Sequence, residues 1–130
     1  MKELAEKGKK SLRHNSFTKA DRILKRQQFL NLSKCGKKIS NRYFIAIFRE
    51  NSGPNCRLGI TVSKKVGKAA TRNRIKRFSR EFFRLNRQNI KGFWDINLIA
   101  KRESSLLANA EAANVLANIF KKISEKHQGQ

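Results

Sequence analysis

Acidic side chains are what this sequence has least of. It holds 9 Asp and Glu against 31 Lys and Arg in 130 residues, a formal charge of +22. The excess runs along the whole length and not in a tail, so the self-repulsion belongs to the folded body. The few carboxylates (Glu3, Glu6, Asp21, Glu50, Glu81, Asp95, Glu103, Glu111 and Glu125) are scattered, and no two stand in a DxD or ExK spacing. That inventory argues against a self-sufficient metal-dependent nuclease. Histidine is equally scarce: His14 and His127 lie near the two ends. Cys35 and Cys56 are 21 positions apart, without CxxC spacing or a histidine nearby, which excludes a disulfide framework and a metal cluster of the usual spacing. No GxxxxGK[ST] or GxGxxG phosphate loop occurs. No apolar run approaches the roughly 18 residues of a membrane span. The opening MKELAEKGKKSLRHNS has charge without an apolar core, so it does not read as a secretory signal and the expected location is cytoplasmic.

What is present suffices for one folded domain. Hydrophobic residues make up 38% of the chain, and this length supports a single core. Residues 1–16 read as a flexible basic extension, 17–124 as the domain and 125–130 as a frayed tail. Thr18 and Asp21 have the spacing of a weak capping box, ahead of a helix over about 24–35 that Gly36 ends as a C′ residue. Two β-rich runs follow, Tyr43–Arg49 and Arg57–Ser63, separated by a Gly53-Pro54 turn, and they read as an antiparallel hairpin. A helix over about 68–86 comes next. FWDINLIA (93–100) alternates as a further strand, and Ser104 or Ser105 caps a last helix with apolar positions at Leu106, Leu107, Ala110, Ala113, Leu116, Phe120 and Ile123. The order is α-β-β-α-β-α, with room for one short strand near Lys38–Ser40. That is an α+β, single-domain α/β sandwich with helices packed on a mixed sheet.

The run LGITVSKKVGKAATRNRIKRFSRE, Leu58 to Glu81, is the most informative. From Lys64 to Arg80 it has eight basic residues and no acid. At 100° per residue Ile75, Phe78, Phe82 and Leu85 share one side of its helix, with Phe83 off that stripe. Arg72, Asn73, Lys76, Arg77, Arg80 and Arg84 share the other, and Arg74 lies at the flank. A merely soluble helix mixes signs for i,i+4 pairing. A face of one sign suits a polyanion, which makes nucleic acid the leading partner class. An anionic membrane surface is the alternative, but no amphipathic stretch of the chain has the large exposed aromatic face that it would demand. A ribosomal protein or RNA chaperone fits this composition as well as a processing factor does.

SKKVGKAATRNRIKRFSRE resembles the motif of the bacterial ribonuclease P protein subunit: a lysine-rich strand end (Ser63-Lys64-Lys65), Gly67, then Arg72-Asn73-Arg74 within a helix. RILKRQQFLNLSKCGKKISNRYFIAIF (22–48) and FWDINLIAK (93–101) are similar to further parts of that family, so the resemblance covers about 22–122. It implies an α-β-β-(β)-α-β-α fold with a left-handed crossover through the Arg-Asn-Arg helix, against the general right-handed rule. It implies a catalytic RNA subunit that cleaves the 5′ leader from precursor tRNA with Mg²⁺ held mainly by the RNA, no protein-only catalytic residue, no protein-held metal and no obligate protein partner. It implies contact with that RNA through Lys64, Lys65, Lys68, Arg72, Asn73, Arg74, Lys76, Arg77 and Arg80. A cleft for the leader would be lined by Phe29, Ser33, Tyr43, Ile45, Ile47 and Thr61. Ser33 stands where members often carry a second aromatic, and Ile47 where some carry one.

Overall fold

The structure, a computed structural model, describes residues 19–126. A turn of 3-10 helix at Lys19–Asp21 leads into α1 (Arg26–Cys35). The Asp21 carboxylate is buried against the Arg87 guanidinium at 2.8 Å, and Thr18, the other half of the expected capping box, lies outside the described residues. The Gln28 side chain instead accepts from the backbone N–H groups of Leu24 and Lys25, each at 3.3 Å. Gly36 ends α1 by donating its N–H to the Leu32 carbonyl at 2.8 Å. Its φ of −80° is open to any residue. Glycine is required there because a Cβ would meet the Leu32 oxygen at 2.5 Å.

Four strands follow: β1 (Lys37–Ser40), β2 (Phe44–Glu50), β3 (Arg57–Thr61) and β4 (Trp94–Ala100). The optional short strand is therefore real. The expected hairpin is not. The sheet order is β1-β2-β4-β3, so β4 lies between the two runs that sequence proximity suggested were partners. Ala46 pairs antiparallel with Leu98, and Ile60 pairs parallel with the same residue. Burial fits the order. In β4, Trp94, Ile96, Leu98 and Ala100 bury one face in the core, and on the other Asn97 is buried while Asp95 and Ile99 are half-buried, as for a strand flanked on both edges. Parallel β3 and β4 require a crossover, which α2 (Ala69–Asn86) supplies.

The main core lies between the sheet and the pair formed by α2 and α3 (Asn109–Ser124), with Phe44, Ala46, Phe48, Ile96 and Leu98 pointing into it. The buried stripe of α2 is Ile75, Ser79 and Phe83, turned from the expected one. Phe83 is fully buried and Leu85 is 52% exposed. The cause is that α2 is covered from two directions: Phe82 leaves the sheet side and stacks on Phe120 of α3, centroids 5.7 Å apart. In α3 the buried residues are Ala112, Leu116, Ile119, Phe120 and Ile123. Ala110 and Ala113 are exposed, as is Leu106 in the preceding turn. Neither serine caps α3. Both sit in the 3-10 turn Arg102–Leu106, where their hydroxyls donate to the carbonyls of Lys101 (2.6 Å) and Arg102 (2.9 Å).

Candidate nucleic-acid interface

The basic face is built by the joint between β3 and α2. Val62 and Val66 are buried and pin that joint, so the lysines between and after them, Lys64, Lys65 and Lys68, are held outward and exposed. Along α2, Asn73, Arg77 and Arg80 are exposed, while Arg72 and Lys76 are half-buried. Arg72 donates through Nε to the Gly67 carbonyl at 3.2 Å, which leaves the rest of its fork for another acceptor. Among the described residues no carboxylate pairs with Lys64, Lys65, Lys68, Lys76, Arg77 or Arg80. The nearby acid, Glu81, is engaged by Arg84, whose hydrogen bond holds the Glu81 carboxyl below its usual range. The field of this surface is therefore uncompensated, which suits a phosphate backbone.

Two residues stand apart from the others on this face. Arg74 turns inward along the surface. Its guanidinium donates to the carbonyls of Leu107 (2.8 Å) and Ser105 (3.1 Å) and to Asn109 Oδ1 (3.1 Å), so the middle of the motif's cations braces α2 against the turn before α3. Arg22 was not anticipated. With Asn73, Lys76, Arg77, Arg80, Arg84 and the Arg84-bound Glu81 it lines a cavity of about 440 Å³. It arrives there because the segment before α1 runs along β3, with the Ile23 N–H donating to the Leu58 carbonyl at 3.1 Å. No local pattern announces that pairing.

The second surface is the sheet face under α1. Register places Ile45, Ile99 and Thr61 in one row across the strands, and Ile47, Asn97 and Gly59 in the next. Phe29 lies over the second row: a Cβ on Gly59 would come within 2.5 Å of its ring. Phe29, Ile45 and Ile47 are half-buried, and Thr61 and Ser33 are exposed. Tyr43 stands in a bend just before β2 and packs partly against the main core, with the Arg42 guanidinium 5.5 Å from its ring centroid. Its position is thus at the end of the cleft and not within the strand rows. Ile99 and Asn97 were missed. Alternation in FWDINLIA puts them on one face, but only the observed strand order makes them neighbours of Ile45 and Thr61. The Thr61 hydroxyl donates to Asn97 Oδ1 at 3.0 Å. One end of the cleft is closed by Arg57, which grips Asp95 with two hydrogen bonds at 2.8 and 2.6 Å.

The geometry thus offers an acid-poor cationic helix and, under α1, a half-apolar cleft with polar points. A family model described as Ribonuclease P matches residues 17–124. The chain belongs to the ribonuclease P protein family. It is 50% identical over 111 residues to the ribonuclease P protein component of Desulfosudis oleivorans, covering 85% of this chain and 92% of that one. It is 43% identical over 90 residues to that of Thermotoga maritima, covering 69% of this chain and 77% of that one. Among solved structures, the RNase P protein of Staphylococcus aureus is similar, with TM-score 0.75, 35% identity and coverage of 80% of this chain and 95% of that one. The T. maritima protein gives TM-score 0.73 at 38% identity, covering 78% and 96%. Fold and family agree: three helices and a four-stranded mixed sheet, in a protein component of the tRNA-processing endoribonuclease ribonuclease P. The ribosomal and chaperone readings fall with that membership.

Proposed function

We infer that the two surfaces divide the work of a ribonucleoprotein subunit. The basic face of α2, with Lys64, Lys65 and Lys68 at its approach, binds the catalytic RNA. The cleft beneath α1 holds the 5′ leader of precursor tRNA as an extended single strand, with Phe29 as a stacking platform and Ile45, Ile47 and Ile99 as an apolar floor. A base on an aromatic ring contributes roughly 1–3 kcal/mol. Ser33 adds no second ring, so charge along the rim carries a larger share of leader affinity. Cleavage is assigned to the RNA. The Mg²⁺ of the reaction is assigned to the RNA with it, as the family resemblance implies. No described helix is long and apolar enough to cross a membrane, and the proposed location is the cytoplasm with the tRNA precursors.

The observation that carries this reading is the family's Arg-Asn-Arg helix presenting cations without acidic partners. The test is cleavage of a precursor tRNA by a bacterial ribonuclease P RNA at low Mg²⁺, with and without the protein. Correct 5′ maturation that needs both components supports it. Protein that binds the RNA tightly and leaves cleavage unchanged overturns it.

A further inference from the structure

Asn97 is a polar residue where packing alone favours an apolar one. It sits in the central strand at 6% exposure, between Ile47 on one side and Gly59 on the other. A β-branched residue there would be a better strand former and would extend the apolar floor. Its amide has two donors and two acceptor lone pairs, and buried polar groups need partners. The Thr61 hydroxyl satisfies one lone pair of Oδ1 at 3.0 Å. This bond turns the amide oxygen toward β3 and its nitrogen away from it. No protein acceptor among the described residues holds that nitrogen. Yet the one fully buried side-chain polar atom without a partner among those residues is Ser79 Oγ, not Asn97 Nδ2. The nitrogen therefore reaches solvent in the cleft on the Ile47 side of the row over which Phe29 lies.

We propose that Asn97 is a specificity-determining residue of the leader cleft: its amide nitrogen donates a hydrogen bond to an acceptor on the edge of a leader base lying against Phe29, and Thr61 is the positioning residue that fixes the amide. The inference rests on the leader reading of the cleft. Apolar contacts and stacking tolerate any base. A donor covered by the bound base does not, because a base that brings no acceptor leaves it unpaired and desolvated.

The test is competitive cleavage of a precursor-tRNA pool with randomised leaders, by holoenzyme reconstituted from this protein and a bacterial ribonuclease P RNA. Asn97→Leu keeps volume and removes the donor. It should flatten base preference at one leader position about fivefold and leave the other positions unchanged. Thr61→Val should flatten the same position by a smaller factor, and it supplies the readout should Asn97→Leu melt early. Phe29→Ala separates the failures. If Phe29→Ala lowers affinity for leader-bearing substrate while the Asn97→Leu and Thr61→Val profiles match the wild type, the Asn97 assignment is overturned and the cleft reading stands. If Phe29→Ala leaves that affinity unchanged as well, both are overturned.

Discussion

Single atoms in this domain make separable statements about stability and function. Ser79 Oγ is buried on the sheet side of α2 with no hydrogen-bond partner among the described residues, between Ile75 and Phe83 on the same stripe. An unsatisfied buried hydroxyl costs about 1–3 kcal/mol, and alanine is the better helix former. Ser79→Ala should stabilise the domain by about 1 kcal/mol, raising Tm by about 4 °C in a circular-dichroism melt; a lower Tm would show that the hydroxyl is doing something for the fold. Gly59 makes the converse point. Its missing side chain is the seat of the Phe29 ring, so Gly59→Ala should push the ring off the sheet. Leader-dependent affinity should fall severalfold while affinity for the RNA subunit stays the same, as measured by binding of precursor tRNA with and without its leader. The thiols differ in the same atom-by-atom way. Cys35 is exposed and Cys56 buried, and burial pushes the Cys56 thiol up, away from the reactive thiolate. Near pH 8 a thiol reagent should titrate one cysteine rapidly and the second only on unfolding.

Within α2, neighbouring arginines have different jobs. Arg74 ties the helix to the turn before α3 through two carbonyls and Asn109, whereas Arg77 is exposed on the cationic face. Arg74→Ala should cost about 1–2 kcal/mol in a denaturant melt, since hydrogen bonds from a charged donor are lost. Arg77→Ala should leave the melt unchanged and weaken assembly with the RNA. Equal effects of the two substitutions on both readouts would contradict this division. Such distinctions show where a sequence stops being legible. The basic helix, its bounds and its polar face follow from a 3.6-residue period that needs no partner. Which of Phe82 and Phe83 is buried depends on α3 arriving from one side, and no period within α2 contains that. The same holds for the strands. The alternation of YFIAIFR and RLGITVS reveals two strands, but the insertion of β4 between them is a pairing between distant segments, and no alternation within either run contains it. Arg22 was invisible for a third reason. Its place in the basic cavity depends on a single backbone bridge to Leu58 and on the buried Asp21–Arg87 pair that anchors the segment. Leaving a charge buried without its partner costs about 3–5 kcal/mol, so Asp21→Ala should lower Tm.

Taken whole, the molecule is a cation that folds against its own repulsion, with a charge of +22. Its basic surface and its cleft lie on elements that share β3: α2 leaves from the end of that strand, and Gly59 and Thr61 within it carry the cleft. One rigid strand thus fixes the distance between the two proposed RNA contacts. A precursor tRNA docking on a catalytic RNA brings two polyanions together, and counterions must screen them. A protein that supplies fixed cations between them replaces part of that screening, and replaces most of it when divalent ions are scarce. The protein should therefore stimulate cleavage strongly at low Mg²⁺ and weakly at saturating Mg²⁺. Removing two phosphate contacts with Arg72→Ala and Arg77→Ala together should reduce the slope of log affinity against log salt by about 2. Titrating Mg²⁺ in single-turnover cleavage, with wild type and the double variant side by side, checks both statements. Stimulation that is constant across Mg²⁺ concentrations would mean that the protein acts through geometry and not through charge. An unaltered salt slope in the double variant would take α2 out of the RNA interface, and the cationic face would need a different polyanion.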